Sequence, residues 1–121
     1  MKKVLVVDDQ PKISKIINEI LTKSGYETIL AFNGEIGYQK ALETKPDLII
    51  MDIMMPVMSG FESAKKIKSN PETSKIPIIF LTAKGQEADK EEAESLGSHA
   101  FITKPFSPKQ LLQMIQSIIG N

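Results

Sequence analysis

Five short apolar runs, each separated from the next by a stretch with helical spacing, leave this chain very few folds. The runs are Val4–Val7, Tyr26–Ala31, Leu48–Met51, Ile76–Leu81 and Ala100–Thr103. The strongest of them lack polar alternation, which suits strands buried on both faces. Between the first two runs, Gln10 to Ser24 carries Ile13, Ile16, Ile17, Ile20 and Leu21 on one helical stripe. Pro11 fits its first turn and Gly25 ends it. Asn33 caps a second helix running to about Thr44, with Ile36, Ala41 and Leu42 inward. Pro46-Asp47 turns the chain into the third run. Ser59 or Gly60 starts a third helix that faces inward with Phe61, Ala64 and Ile67. Asn70 to Ser74 reads as a polar loop, and Pro77 sits near a strand start, where a missing donor is tolerated. Gln86 to Leu96 is a polar, acidic helix with few anchors, stopped by Gly97. Ser107 caps the last helix, Pro108 takes its first position, and Leu111, Leu112, Met114, Ile115, Ile118 and Ile119 form its apolar face. Strands alternating with helices predict an α/β fold: a five-stranded parallel sheet with right-handed crossovers and helices on both faces, in three layers. At 121 residues, one domain over 1–121 is the expectation.

The chemistry gathers where the runs stop. Asp8-Asp9, Asp52, Thr82 and Lys104 each stand at or just after the end of an apolar run. A parallel sheet brings strand carboxyl ends to one edge, where ligands bind beside the switch in strand order. Three carboxylates in one pocket repel, and a carboxylate at the mouth of a buried strand is costly without a partner. A hard divalent cation such as Mg²⁺ offsets this, taking one or two carboxylates plus waters and a phosphate oxygen. Lys104 adds positive charge and Thr82 a hydroxyl donor. Acids, Mg²⁺, lysine and hydroxyl together suit phosphoryl transfer, with a carboxylate as the best-placed nucleophile.

Composition narrows the alternatives. The chain has no cysteine and one histidine, His99, so thiolate chemistry and a multi-histidine metal site are excluded. All fifteen cationic side chains are lysine, balanced by fifteen acids. A neutral chain without arginine is a poor candidate for direct nucleic-acid binding. No run approaches a membrane span, and the four apolar residues before Asp8 are too few for a signal peptide. A cytoplasmic protein is the expectation.

The chain resembles the receiver domain of bacterial two-component response regulators along its whole length. The resemblance rests on Val4-Leu5-Val6-Val7-Asp8-Asp9, on Asp52-Ile53-Met54-Met55-Pro56-Val57-Met58-Ser59-Gly60, on Leu81-Thr82-Ala83 and on Lys104-Pro105-Phe106, in that order. It implies a doubly wound, flavodoxin-like sheet of order 2-1-3-4-5. It implies Asp52 as the phosphoacceptor and Mg²⁺ (or Mn²⁺) as the cofactor. The metal would be organised by Asp8, Asp9, Asp52 and the backbone carbonyl of Met54. Thr82 and Lys104 would contact the phosphoryl oxygens, and the Lys104–Pro105 bond would be cis. Thr82 and Phe101 would form the switch that remodels the face made by the fourth helix, fifth strand and fifth helix. Phe101 lacks the hydroxyl of a tyrosine, so only its packing could report the switch. Met54 and Lys84 flank the site, and Ser98-His99 departs from the small and acidic residues common before the fifth strand. Met54 cannot act as a base toward water, which predicts slow self-dephosphorylation.

The implied partners are a sensor histidine kinase or histidine phosphotransfer protein and a downstream protein target. The implied protein is a monomer, with dimerisation on phosphorylation left open, and either a stand-alone chemotaxis-type receiver or part of a larger regulator. The resemblance implies a signalling domain that assists its own phosphorylation and dephosphorylation rather than an enzyme. The alternative is a Mg²⁺-dependent aspartate-nucleophile phosphohydrolase, but such enzymes carry a second acid two residues after the nucleophile, where this chain has Met54. A nucleotide-binding α/β protein is weaker still, because the first strand–helix junction has no glycine-rich loop. Each site residue also has a plain structural use: Asp8-Asp9 can cap the first helix, Thr82 can be a β-branched strand end and Lys104 a surface lysine. His99 is assigned no catalysis, and Met51, Met54, Met55 and Met58 read as core and loop filler.

Overall fold

A computed structural model describes residues 2–55, 58–83 and 100–120. The elements run β1 (Lys3–Val7), α1 (Pro11–Lys23), β2 (Glu27–Ala31), α2 (Gly34–Thr44), β3 (Leu48–Asp52), α3 (Gly60–Ser69), β4 (Ile78–Ala83), β5 (Ala100–Lys104) and α4 (Pro108–Ile119). The helix expected over Gln86–Leu96 lies outside the described residues, so α4 is the fifth helix expected from sequence.

All strand pairs are parallel and the sheet order is β2-β1-β3-β4-β5. Alternation along each strand divides the core in two. Leu5, Val7, Ile49, Met51 and Phe80 face α2 and α3, and meet Ala41, Phe61, Ala64 and Ile67. Val4, Val6, Leu48, Ile50 and Ile79 face α1 and α4, and meet Ile17, Leu21, Leu111 and Ile115. Helices on both faces explain why β1 and β3 are apolar without interruption. Each fully buried aliphatic side chain contributes roughly 1.5–3 kcal/mol. The order reverses between β1 and β3, so the crevice between their carboxyl ends is the topological switch point.

Local chemistry sets the helix starts. Asn33 accepts a hydrogen bond from the Ile36 N–H at 2.8 Å. Ser59 with Glu62, and Ser107 with Gln110, form reciprocal capping boxes. Pro11 and Pro108 each occupy the first helical turn, where no intrahelical donor is needed.

The inward faces are narrower than the apolar stripes suggested. Ile16 is 47% exposed, and Ile36 and Ile118 are each 37% exposed. Small residues take the inner positions on two helices: Ser14 on α1, and Gly34 and Gly37 on α2. A Cβ at Gly37 would come within 2.8 Å of a Val7 methyl, so α2 lies against β1 at a distance only glycine permits. β4 begins two residues later than expected. Pro77 has no N–H for the ladder, although its carbonyl accepts from Ile49 N–H at 3.0 Å. β4 also runs on through Thr82 and Ala83, and β5 through Lys104. In the loop expected to be polar, Thr73 is buried and donates to the Ile67 carbonyl at 2.7 Å.

Candidate functional site

Asp52 is the last residue of β3, and Asp8 and Asp9 directly follow β1. These strands are neighbours in register, Val7 opposite Met51, so the three acids meet at the switch point. Asp8 is fully buried, Asp52 is 5% exposed and Asp9 is half-buried. Each offers one carboxylate oxygen, and these oxygens lie within 4.8 Å of one another.

Lys104 reaches the same point from the end of β5. Its Nζ lies 3.3 Å from Asp8 Oδ2 and 3.4 Å from Asp52 Oδ2. Asp8 Oδ1 accepts from the Gln10 N–H at 2.9 Å, so Asp8 does serve the entry to α1, but no side chain caps that helix. Asp52 Oδ1 accepts a long bond from the Met54 N–H at 3.4 Å. Among the described residues, three carboxylates therefore face a single ammonium. Burial first, and the Asp8 charge second, push the Asp52 carboxyl up to about 6, while Lys104 and the Met54 N–H pull it down. The site binds a carboxylate but does not satisfy it.

That imbalance fits a hard divalent cation. Three carboxylate oxygens are gathered within a span close to that of opposite ligands around one ion, and their surplus negative charge is what a 2+ ion neutralises. Asp8, Asp9 and Asp52 are the side chains able to hold it.

Thr82 lies beside this cluster on β4, where Asp52 pairs with Leu81, and is 2% exposed. Its hydroxyl donates to Thr103 Oγ1 at 3.5 Å. Phe101 packs against the core formed with α2 and α3 while remaining partly exposed. It lines a groove of about 530 Å³ between β5 and α4, with Gln110 and Met114 opposite. Lys104–Pro105 is a cis peptide bond. Met54 is 65% exposed, and Met55 packs against the core. Met51 is fully buried. Pro56, Val57, Lys84, Ser98 and His99 lie outside the described residues.

Two supports of the site go beyond the sequence reading, which took Gly60 as a helix start within the Asp52 motif and gave Ser14 no role. The N–H of Gly60 donates to the Ile53 carbonyl at 2.9 Å, and a Cβ there would collide with the Asp52 carbonyl oxygen and stand 2.9 Å from Ile53 Cα. The first turn of α3 thus lies directly on the backbone that carries Asp52. Ser14 sits beneath β1, buried, with its hydroxyl 3.4 Å from the Asp8 carbonyl. The signals were present: the Ser59-x-x-Glu62 pattern marks the helix start, and the spacing Ser14, Ile17, Leu21 puts a small polar residue on a buried stripe.

Residues 4–116 match the response regulator receiver domain family. The protein PilH of Pseudomonas aeruginosa is 36% identical over 120 residues, covering 99% of each chain. Chemotaxis protein CheY4 of Vibrio cholerae superposes with a TM-score of 0.92 at 36% identity, covering 98% of each chain. The receiver domain of sensor histidine kinase PA1611 from Pseudomonas aeruginosa superposes with a TM-score of 0.90 at 29% identity, covering 99% of this chain and 98% of that one. That domain was solved with a magnesium ion coordinated in its active-site cleft. The chain spans about half the length of other curated relatives it matches, named as transcriptional regulators. No helix among the described residues is long and apolar enough to cross a membrane.

Proposed function

The chain belongs to the response regulator receiver domain family of two-component signalling, and from that premise we propose that Asp52 is its phosphoacceptor. The observation that carries this is the cluster of Asp8, Asp9 and Asp52 with Lys104 bridging two of them. The Asp52 oxygen facing Lys104 attacks phosphorus, a carboxylate O–P bond forms, and the P–N bond of a phosphohistidine donor breaks. The imidazole leaves with the electron pair. With a small acyl phosphate, the O–P bond to the acyl group breaks instead. Lys104, already 3.4 Å from Asp52, stays to neutralise the transferred oxygens, and the Thr82 hydroxyl donates to one of them.

Asp8, Asp9, Asp52 and the Met54 carbonyl would hold Mg²⁺ or Mn²⁺, which would supply charge neutralisation for the incoming phosphoryl oxygens. Asp8 is anchored by the Gln10 N–H and by Lys104, which keeps its carboxylate oriented toward the cluster. The reverse reaction uses water: it attacks phosphorus, the carboxylate O–P bond breaks, and inorganic phosphate departs. Met54 gives that water no base, so the aspartyl phosphate is long-lived. Phosphorylation draws Thr82 inward, Phe101 follows into the core, and the surface around β5 and the last helix changes for a downstream protein partner. The donor is a histidine kinase or phosphotransfer protein. The same reading puts the protein in the cytoplasm and leaves it monomeric before activation.

A phosphohydrolase is not favoured. The family matched is a signalling one, and Met54 stands where such an enzyme needs its second acid. Intact mass after incubation with acetyl phosphate tests the proposal. A Mg²⁺-dependent gain of one phosphoryl group, absent in Asp52→Ala, is the expected result. Uptake that persists in Asp52→Ala would move the acceptor elsewhere.

A further inference from the structure

Thr103 stands in none of the roles assigned so far, yet it touches one of them. It is the register partner of Thr82 across β4 and β5. Strand alternation puts Phe80 and Thr82, and beside them Phe101 and Thr103, on the sheet face toward α3. Among the described residues, the Thr103 hydroxyl is the one side-chain partner of the Thr82 hydroxyl, and Thr82 is the donor. The next residue, Lys104, turns its ammonium to Asp8 and Asp52. Two consecutive residues of β5 therefore hold two different groups of the site.

We infer that Thr103 is a positioning residue that holds the Thr82 hydroxyl away from Asp52 until a phosphoryl group competes for it. This rests on the reading of Thr82 as a phosphoryl contact. A hydroxyl has one proton to donate, and among the described residues Thr82 directs it to Thr103. At 3.5 Å the bond is long, hence weak. A bond from a hydroxyl to an anionic phosphoryl oxygen is about twice as strong as a neutral one. The resting contact thus biases Thr82 without locking it, as a switch that must yield requires. Thr103 is exposed while Thr82 is buried, so the hold can be removed without opening the core.

Thr103→Val tests this, because valine keeps the β-branched shape and lacks the hydroxyl. Two readouts are taken: the rate of Mg²⁺-dependent phosphoryl uptake from acetyl phosphate, and the NMR shift of the Thr82 methyl in metal-free, unphosphorylated protein. Thr103→Val is expected to raise the rate about two- to threefold, the worth of a weak neutral hydrogen bond. It should also move the Thr82 methyl toward its position in the phosphorylated wild type. Thr103→Ser should restore both, and in a Thr82→Ala background Thr103→Val should leave the rate where it was. An unchanged rate and methyl shift in Thr103→Val, or the same acceleration without Thr82's hydroxyl, overturns the inference alone. No phosphoryl uptake by the wild type would overturn the reading of Asp52, and the inference with it.

Discussion

Asp52 carries opposing demands at the level of one side chain. To act as the proposed nucleophile it must be ionised, yet burial and Asp8 hold its carboxyl up to about 6. An ordinary carboxyl in the unfolded chain releases its proton near 4. The folded state therefore binds the proton more tightly, and stability falls as pH rises between those values, with the full cost present above about 6. Asp52→Asn removes the charge. The metal-free variant should be more stable than the wild type at pH 7.5, by about 1–2 kcal/mol once solvent screening at the open side of the site is allowed for. The gain should shrink as pH falls through 6 and vanish near pH 4. Urea titrations at those pH values check this, and a gain that persists near pH 4 would assign it to something other than charge. Met54 carries a second prediction at this scale. The isolated aspartyl phosphate should persist for minutes or longer, and Met54→Glu, which offers a base to water, should shorten it severalfold or more. Timed loss of the added phosphoryl mass reads both lifetimes.

At the scale of elements, the site depends on how closely α3 approaches β3. Gly60 brings the helix start against the Asp52 carbonyl. Gly60→Ala should cost about 1–3 kcal/mol through forced backbone shifts. Because the displaced backbone carries Asp52 and leads to Met54, Mg²⁺ affinity should fall as well. Ser59→Ala is the contrast. It removes a cap worth roughly 1 kcal/mol from the same helix without pressing on Asp52, so stability should drop and metal affinity should hold. Calorimetric titration with Mg²⁺ beside urea unfolding separates the two. Equal loss of affinity in both variants would mean that the helix as a whole, rather than the Gly60 contact, supports the site.

For the whole molecule, three acids and one lysine at a single sheet edge would couple folding to a bound metal. A ligand that binds only the folded state stabilises it, by about 2.7 kcal/mol at a hundredfold excess over its Kd. Mg²⁺ should raise the melting temperature of the wild type. Asp9→Ala should lose most of that increment while its metal-free stability changes little, since Asp9 is half-buried and lies outside the ion pairs that Lys104 makes. Thermal melts with and without Mg²⁺ decide this, and an undiminished increment in Asp9→Ala would remove it from the ligand set.

The alternation of apolar runs with helical stripes determined the α/β class, because strands covered on both faces cannot show polar alternation and crossover helices must repeat between them. The residues ending those runs determined the candidate chemistry, since a parallel sheet collects strand ends at one edge whatever the loops do. Tertiary structure alone decided the rest. Which isoleucines face inward depended on how near each helix sits, so Ser14 and Gly37 took inner places while Ile16 and Ile36 stayed exposed. Lys104 could be matched to both Asp8 and Asp52 only once β5 was set at the far edge, with β4 between it and β3. The pairing of Thr82 with Thr103 is a register fact, and register is fixed by two strands packing together rather than by either one.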